Sequence, residues 1–119
     1  MGTGCSTVVR THAPNLDVMT GVWSDGRVAT IFGTRETSHT YDTIAFGTKK
    51  IAEAAPTSGY AIMAHTLLKF FQTGIVPVSH QETVEILTFM EAADESKRRG
   101  GVPISLAEVL AANGGADGI

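Results

Sequence analysis

Along the first half of the chain, hydrophobic positions alternate with polar ones. Along the second half they recur every three to four residues, with the change falling near Gly59. Alternation marks strands, and the longer period marks helices with an apolar stripe. Strands gathered before helices predict an α+β fold, in which one antiparallel sheet of about five strands carries two main helices and a short third helix on one face.

Residues 5–11 read as the first strand, ended by Ala13-Pro14-Asn15, and residues 16–24 and 27–35 as a hairpin around Asp25-Gly26. A two-residue turn needs positive φ at its centre, which glycine adopts freely and aspartate tolerates better than most. Such a turn sets Trp23 opposite Val28. One face then carries Met19, Trp23, Val28 and Phe32, and the other Leu16, Val18, Val22, Ala29 and Ile31, so both are apolar. Residues 42–47 and 51–54 supply two further strands, joined by a turn at Thr48-Lys49-Lys50.

Residues 60–73 place Tyr60, Ala64, Leu67 and Phe71 on one helical stripe, with Gly74 set to end the helix in the left-handed conformation and Pro77 to prevent its resuming. Ser79-His80-Gln81-Glu82 fits a capping box that opens the second helix, and Ile86, Phe89, Met90 and Ala93 follow at helical spacing. Asp94 and Glu95 each stand four residues before an arginine, Lys97, Arg98 and Arg99 suit the negative end of the helix dipole, and Gly100-Gly101 and Pro103 stop the helix. Ser105-Leu106-Ala107-Glu108 repeats the box, which predicts a short third helix to about Ala112 ahead of Asn113-Gly114-Gly115. Residues 113–119 are expected to fray, and residues 1–119 otherwise read as one domain without an interior linker.

Composition narrows the function. With 119 residues, 43% hydrophobic and 18% charged, the chain has material for one core and too few charges for disorder. A net charge of −3 leaves no broad basic surface, so nucleic acid is not an expected partner. The lone cysteine, Cys5, excludes an intramolecular disulfide and points to a reducing, cytoplasmic setting. The first residues lack the apolar run of a signal peptide, and no segment reaches the ~20 apolar residues that span a bilayer, so no membrane partner is expected either.

The candidate chemistry is sparse. Gly2-Thr3-Gly4 lacks the preceding strand and third glycine of a dinucleotide loop, and Gly47-Thr48-Lys49-Lys50 lacks the leading glycine and the hydroxyl of a phosphate loop. His12, His39, His65 and His80 have no local metal-ligand spacing. There is no GxSxG elbow, and Cys5 reads as an ordinary thiol. Arg10 and His12, at the end of the first strand, face whatever the fold brings there, an anionic or hydroxylated ligand included. Lys97-Arg98-Arg99 reads as dipole compensation, not a nucleic-acid patch. No residue is assigned a catalytic, cofactor-binding or metal-binding role.

The feature that remains is a sheet with two apolar faces in a chain whose helices cover one. An exposed apolar sheet of this size implies a partner, and a homo-oligomer through the open face is expected, with Met19, Trp23, Val28 and Phe32 as interface residues.

Three segments together carry a family resemblance: NLDVMTGVWSDGRVATIFGTR, YDTIAFGTKK and LLKFFQTGIVPVSHQETVEILTFMEAADESKRRGGVPISLAEVL, in that order. From Asn15 to Leu110 the chain resembles the C-terminal domain of the glucose-fructose oxidoreductase, inositol dehydrogenase and rhizopine-catabolism (Gfo/Idh/MocA) family. The resemblance implies an NAD(P)-dependent sugar or polyol oxidoreductase whose Rossmann domain precedes this part, while the C-terminal domain supplies a substrate-side wall and, through its open sheet, the subunit interface. The family's glycine-rich loop, the lysine of its EKP-like motif and its Asp-and-His pair have no counterpart here. No cofactor is therefore expected in this chain, NAD or NADP belonging to the full-length family, and the chain alone is expected to be inactive. Lys50 stands where members often carry glycine. Two further readings are a freestanding small-ligand-binding or dimerisation protein, with a pocket near Trp23 and Phe32, and a subunit that joins a separate Rossmann-domain protein.

Overall fold

A computed structural model of the chain describes residues 2–36, 41–54 and 60–114. Its elements run β1 (Cys5–Ala13), β2 (Leu16–Trp23), β3 (Val28–Thr34), β4 (Thr43–Phe46), β5 (Ile51–Ala54), α1 (Ala61–Thr73), α2 (His80–Arg98), β6 (Ile104–Ser105) and α3 (Leu106–Ala112). The fold is α+β. Where the sequence reads as one domain, contacts gather into two compact units, Met1–Glu36 with Val78–Ile119, and Thr37–Pro77, each described by itself below. The expected change of period at Gly59 lies outside the described residues, as does the tail beyond Gly114.

The first unit holds a four-stranded antiparallel sheet in the order β3-β2-β1-β6. The five N-terminal strands are present but do not form one sheet: β4 pairs with β5 alone, and the fourth place beside β1 goes to β6. Two residues carry no periodicity, so β6 leaves no trace in the hydrophobic pattern.

The β2–β3 turn departs from expectation by one residue. The Trp23 amide donates to the Arg27 carbonyl at 2.8 Å and the Gly26 amide to the Trp23 carbonyl at 3.0 Å, with Gly26 at φ 88°. The loop thus holds Ser24, Asp25 and Gly26, a turn followed by a left-handed glycine, not the two-residue Asp25-Gly26 turn. Val22, not Trp23, pairs with Val28. A one-residue slip carries the side chains of the partner strand to the opposite face. Met19 and Trp23 therefore lie with Ala29 and Ile31 on one face, while Val28 and Phe32 lie with Leu16, Val18 and Val22 on the other. The four residues expected to share an interface are split two and two.

The face carrying Trp23 receives α2 and α3. Val8, Trp23, Ala92, Ala93, Ile104, Leu106 and Val109 form the core with Cys5, and Met19, Ala29 and Phe89 pack against it. Small side chains at Ala92, Ala93 and Ser96 let α2 approach β1 until Val8 and Ser96 are 0% exposed. Only part of the apolar spacing on α2 points inward, since Ile86, Leu87 and Met90 remain exposed.

The cap signals divide. Ser79 Oγ accepts from the Glu82 amide at 3.1 Å, as the capping box requires. The Gly101 amide donates to the Ser96 carbonyl at 2.7 Å, closing α2 with Gly100 and Gly101 both at positive φ. Ser105 precedes α3 as expected and also pairs with Thr7 as part of β6, but it makes no side-chain cap bond, and Glu108 turns to Arg99.

In the second unit, the Gly47 amide donates to the Lys50 carbonyl at 3.0 Å and closes a β4–β5 hairpin around Thr48-Lys49. Gly74 ends α1 at φ 70° as predicted. No residue of α1 is buried, and Ile62, Leu67, Leu68 and Phe71 are all exposed.

Candidate functional site

Two features of the first unit stand out: an ion cluster at the β1–β2 turn and the sheet face that neither α2 nor α3 covers.

The cluster follows from the register. Arg10 and His12, two apart on β1, share a face, and His12 pairs directly with Asp17 of β2. Asp17 in turn pairs with Gly33, whose missing side chain leaves room above the strand, and Arg35 follows two residues later. The Asp17 side chain is only 6% exposed. Its Oδ1 accepts from Arg10 Nε at 3.0 Å and lies 2.8 Å from His12 Nδ1, and its Oδ2 accepts from Arg35 Nη2. The Arg10 guanidinium first, then His12 and Arg35, hold the Asp17 carboxyl well below the usual carboxylate range.

The cluster is tied to α2 and to the turn. Arg10 Nη1 donates to Asp94 Oδ1, and the Arg10 amide donates to Ser96 Oγ at 2.9 Å, whose hydroxyl in turn donates to the Val102 carbonyl at 2.7 Å. Arg35 Nη1 donates to the carbonyls of Ala13 and Pro14 at 3.2 and 3.1 Å. The hydrogen bond to Asp17 above all raises the Arg10 pKa above its ordinary value, so Arg10 stays charged. The arrangement fixes an imidazole and two guanidinium groups on one buried carboxylate. Among the described residues no free serine or cysteine nucleophile adjoins it: Ser96 is committed to Val102, and Cys5 sits at the other end of β1.

Other sequence candidates resolve plainly. Burial, and then the neighbouring Glu85, push the Cys5 thiol up, opposite to what a nucleophile needs. The amides of Gly4 and Cys5 donate to the Glu85 carboxylate at 2.8 and 2.9 Å, so Gly2-Thr3-Gly4 already meets an anion of this chain and does not fit a dinucleotide. His65 on α1 and His80 at the start of α2 are exposed, and His39 lies outside the described residues. Among the described residues no group of three His, Cys, Asp or Glu side chains could hold a metal, and no helix is long and apolar enough to cross a membrane. Arg98 pairs with Glu91 and Glu95, and Arg99 with Glu95 and Glu108, which occupies the two arginines of the Lys97-Arg98-Arg99 run with internal ion pairs. Of the two expected helix pairs, Glu95–Arg99 forms while Asp94 turns to Arg10.

On the uncovered face, the register places Thr7, Val9 and Thr11 of β1 beside Leu16, Val18, Thr20 and Val22 of β2 and Val28, Thr30, Phe32 and Thr34 of β3. None is charged. Val22, Val28 and Phe32 are 39%, 57% and 67% exposed, and Thr20 and Thr30 share a hydroxyl hydrogen bond at 3.2 Å. Trp23, by contrast, is 7% exposed, with its Nε1 donating to the Gly2 carbonyl. Trp23 and Phe32 are on opposite faces, so the unit forms no pocket lined by both.

Sequence reasoning singled out Arg10 and His12 but missed Asp17, Arg35 and Asp94. The signal for Asp17 was present: it is the charged residue within the apolar run of β2. Asp94 was hidden by its fit to a within-helix pair.

Comparison with protein-family models, curated proteins and solved structures finds no match to this chain.

Proposed function

We propose that this chain is an assembly and substrate-side domain, non-catalytic in isolation, of the kind found at the C-terminal end of Gfo/Idh/MocA-like NAD(P)-dependent sugar or polyol oxidoreductases, and that its uncovered sheet face receives a second copy of the chain. The observation that carries this reading is the uncharged face of β1, β2 and β3, six apolar residues interleaved with five threonines, with Val28 and Phe32 more than half exposed. Three strands at ~4.8 Å spacing and ~3.4 Å rise over about eight residues make a projected plane of roughly 400 Å², and the side chains standing on it enlarge the accessible area. Apolar patches beyond a few hundred Å² are uncommon on soluble monomers and mark interfaces.

A second copy suits the face for a further reason. A two-fold contact places the same patch against itself, so a charged face would repel itself, whereas valine, leucine, phenylalanine and threonine do not. Thr20 and Thr30 share one hydroxyl hydrogen bond within the sheet. The nicotinamide chemistry of such an enzyme belongs to a Rossmann domain, supplied by the same or another chain.

Light scattering on the purified chain tests the reading. A wild-type dimer that becomes a monomer on Phe32→Glu, with circular dichroism unchanged, is the expected result. A monomer at micromolar concentration, or a dimer indifferent to Phe32→Glu and Val22→Glu, contradicts it.

A further inference from the structure

We infer that Arg10 and His12 form a subsite for a small oxyanion, a carboxylate or phosphate group, which takes the place of the Asp94 carboxylate on the outer edge of the Arg10 guanidinium. The inference is independent of how the chain assembles.

A guanidinium offers five donors on two edges, and only one edge of Arg10 is committed to the interior. Nε holds Asp17, the Arg10 amide is anchored to Ser96, and the side chain is 15% exposed. The group is thus oriented before any ligand arrives, which lowers the ordering cost of binding. The outer edge already binds a carboxylate, that of Asp94, whose side chain is 57% exposed and reaches across from α2. Only the Asp94 end of this pair is open to solvent, where water and salt compete for its carboxylate. Asp94 therefore acts as an internal stand-in for an anionic ligand that can be displaced.

His12 supplies the second contact. Its Nδ1 lies on the same Asp17 oxygen as Arg10 Nε, so one carboxylate holds ring and guanidinium as neighbours. Its Nε2 has no partner among the described residues, and the side chain is 39% exposed. That nitrogen donates as imidazolium or accepts from a ligand hydroxyl as neutral imidazole. Arg35 is spent on Asp17, Ala13 and Pro14. With Asp94 displaced, the buried Asp17 carboxylate faces two guanidinium groups and a histidine, which leaves a positive charge for the incoming anion.

The test is a titration of the ¹⁵N-labelled full chain with inorganic phosphate and, separately, succinate, each referenced to sodium chloride at matched ionic strength, following the Arg10 Nε–H and His12 ring signals by NMR. Saturable shifts at both residues with either anion support the site, and the anion that binds identifies its source as phosphate or carboxylate. Asp94→Asn, at an exposed position, removes the internal competitor and is expected to tighten binding by about two- to five-fold, the equivalent of one exposed ion pair. His12→Gln is expected to weaken it. Shifts no larger than those with chloride, or an Asp94→Asn protein that binds no more tightly than wild type, overturn the proposal.

Discussion

Gly21 of β2 is where the packing of α2 on the sheet can be tested by one methyl group. A Cβ at this position would lie 2.6 Å from Phe89 Cε2, 3.0 Å from Trp23 Cζ3 and 3.4 Å from Cys5 Sγ. Carbon atoms prefer about 3.5–4.0 Å, so the Phe89 ring must retreat by roughly 1 Å. It has little room: the ring packs against the core, and Trp23, at 6.5 Å between centroids, is held by its bond to the Gly2 carbonyl. Overpacking of this kind costs about 1–3 kcal/mol, while replacing glycine in a strand returns about 0.5–1 kcal/mol. Gly21→Ala should therefore lose up to about 2.5 kcal/mol net. Gly33→Ala, on the same face, is the control. Its Cβ would come no closer than 3.8 Å to Asp17 and neither glycine has positive φ, so it should be neutral or gain up to about 1 kcal/mol. Urea unfolding followed by the fluorescence of Trp23, the only tryptophan, measures both. With a slope of ~1–3 kcal/mol/M, the Gly21→Ala midpoint should fall by some tenths of a molar without a change in slope. A Gly21→Ala protein as stable as Gly33→Ala would refute the placement of Phe89 over β2.

Because the Asp17 pKa is depressed in the folded state, the stability it contributes is fully present above the unfolded carboxyl pKa of about 4 and is lost as pH falls through the folded value; thermal melts should show Asp17→Asn losing its disadvantage to wild type below about pH 4. Ser96→Ala removes the acceptor of the Arg10 amide and the donor to Val102, and should cost about 1–3 kcal/mol with faster hydrogen exchange at the Arg10 amide. Cys5, buried and with its pKa raised, should react with a thiol reagent in native protein far more slowly than in urea-unfolded protein, and equal rates would show that the β1 end is open.

The separation of strands from helices, the left-handed close at Gly74 and the Ser79 cap were legible because each depends on residues adjacent in sequence. The hairpin register was not. Asp25-Gly26 is compatible with a two-residue and a three-residue loop, and the choice rests on the Trp23–Arg27 pairing, which redirects the side chains of β3. That single residue moved Trp23 into the core and left Phe32 outside. The ion cluster was legible only in its local part, Arg10 and His12, since Asp17, Arg35 and Asp94 reach it from β2, the end of β3 and α2. Ser105 shows the reverse: a sound local cap signal marks the start of α3, yet no side-chain cap bond forms there and the residue also pairs with β1, which no local pattern announces.

The proposed meeting of two copies on the open sheet face is tested in a mixed sample of ¹³C-labelled and unlabelled chains, using isotope-filtered NOE spectroscopy to detect contacts between chains alone. Contacts among Val18, Val22, Val28 and Phe32 of one copy and the same residues of the other are expected. Contacts between chains confined to α1 or to Ile86, Leu87 and Met90 of α2, or none at all, would contradict assembly through the open sheet face.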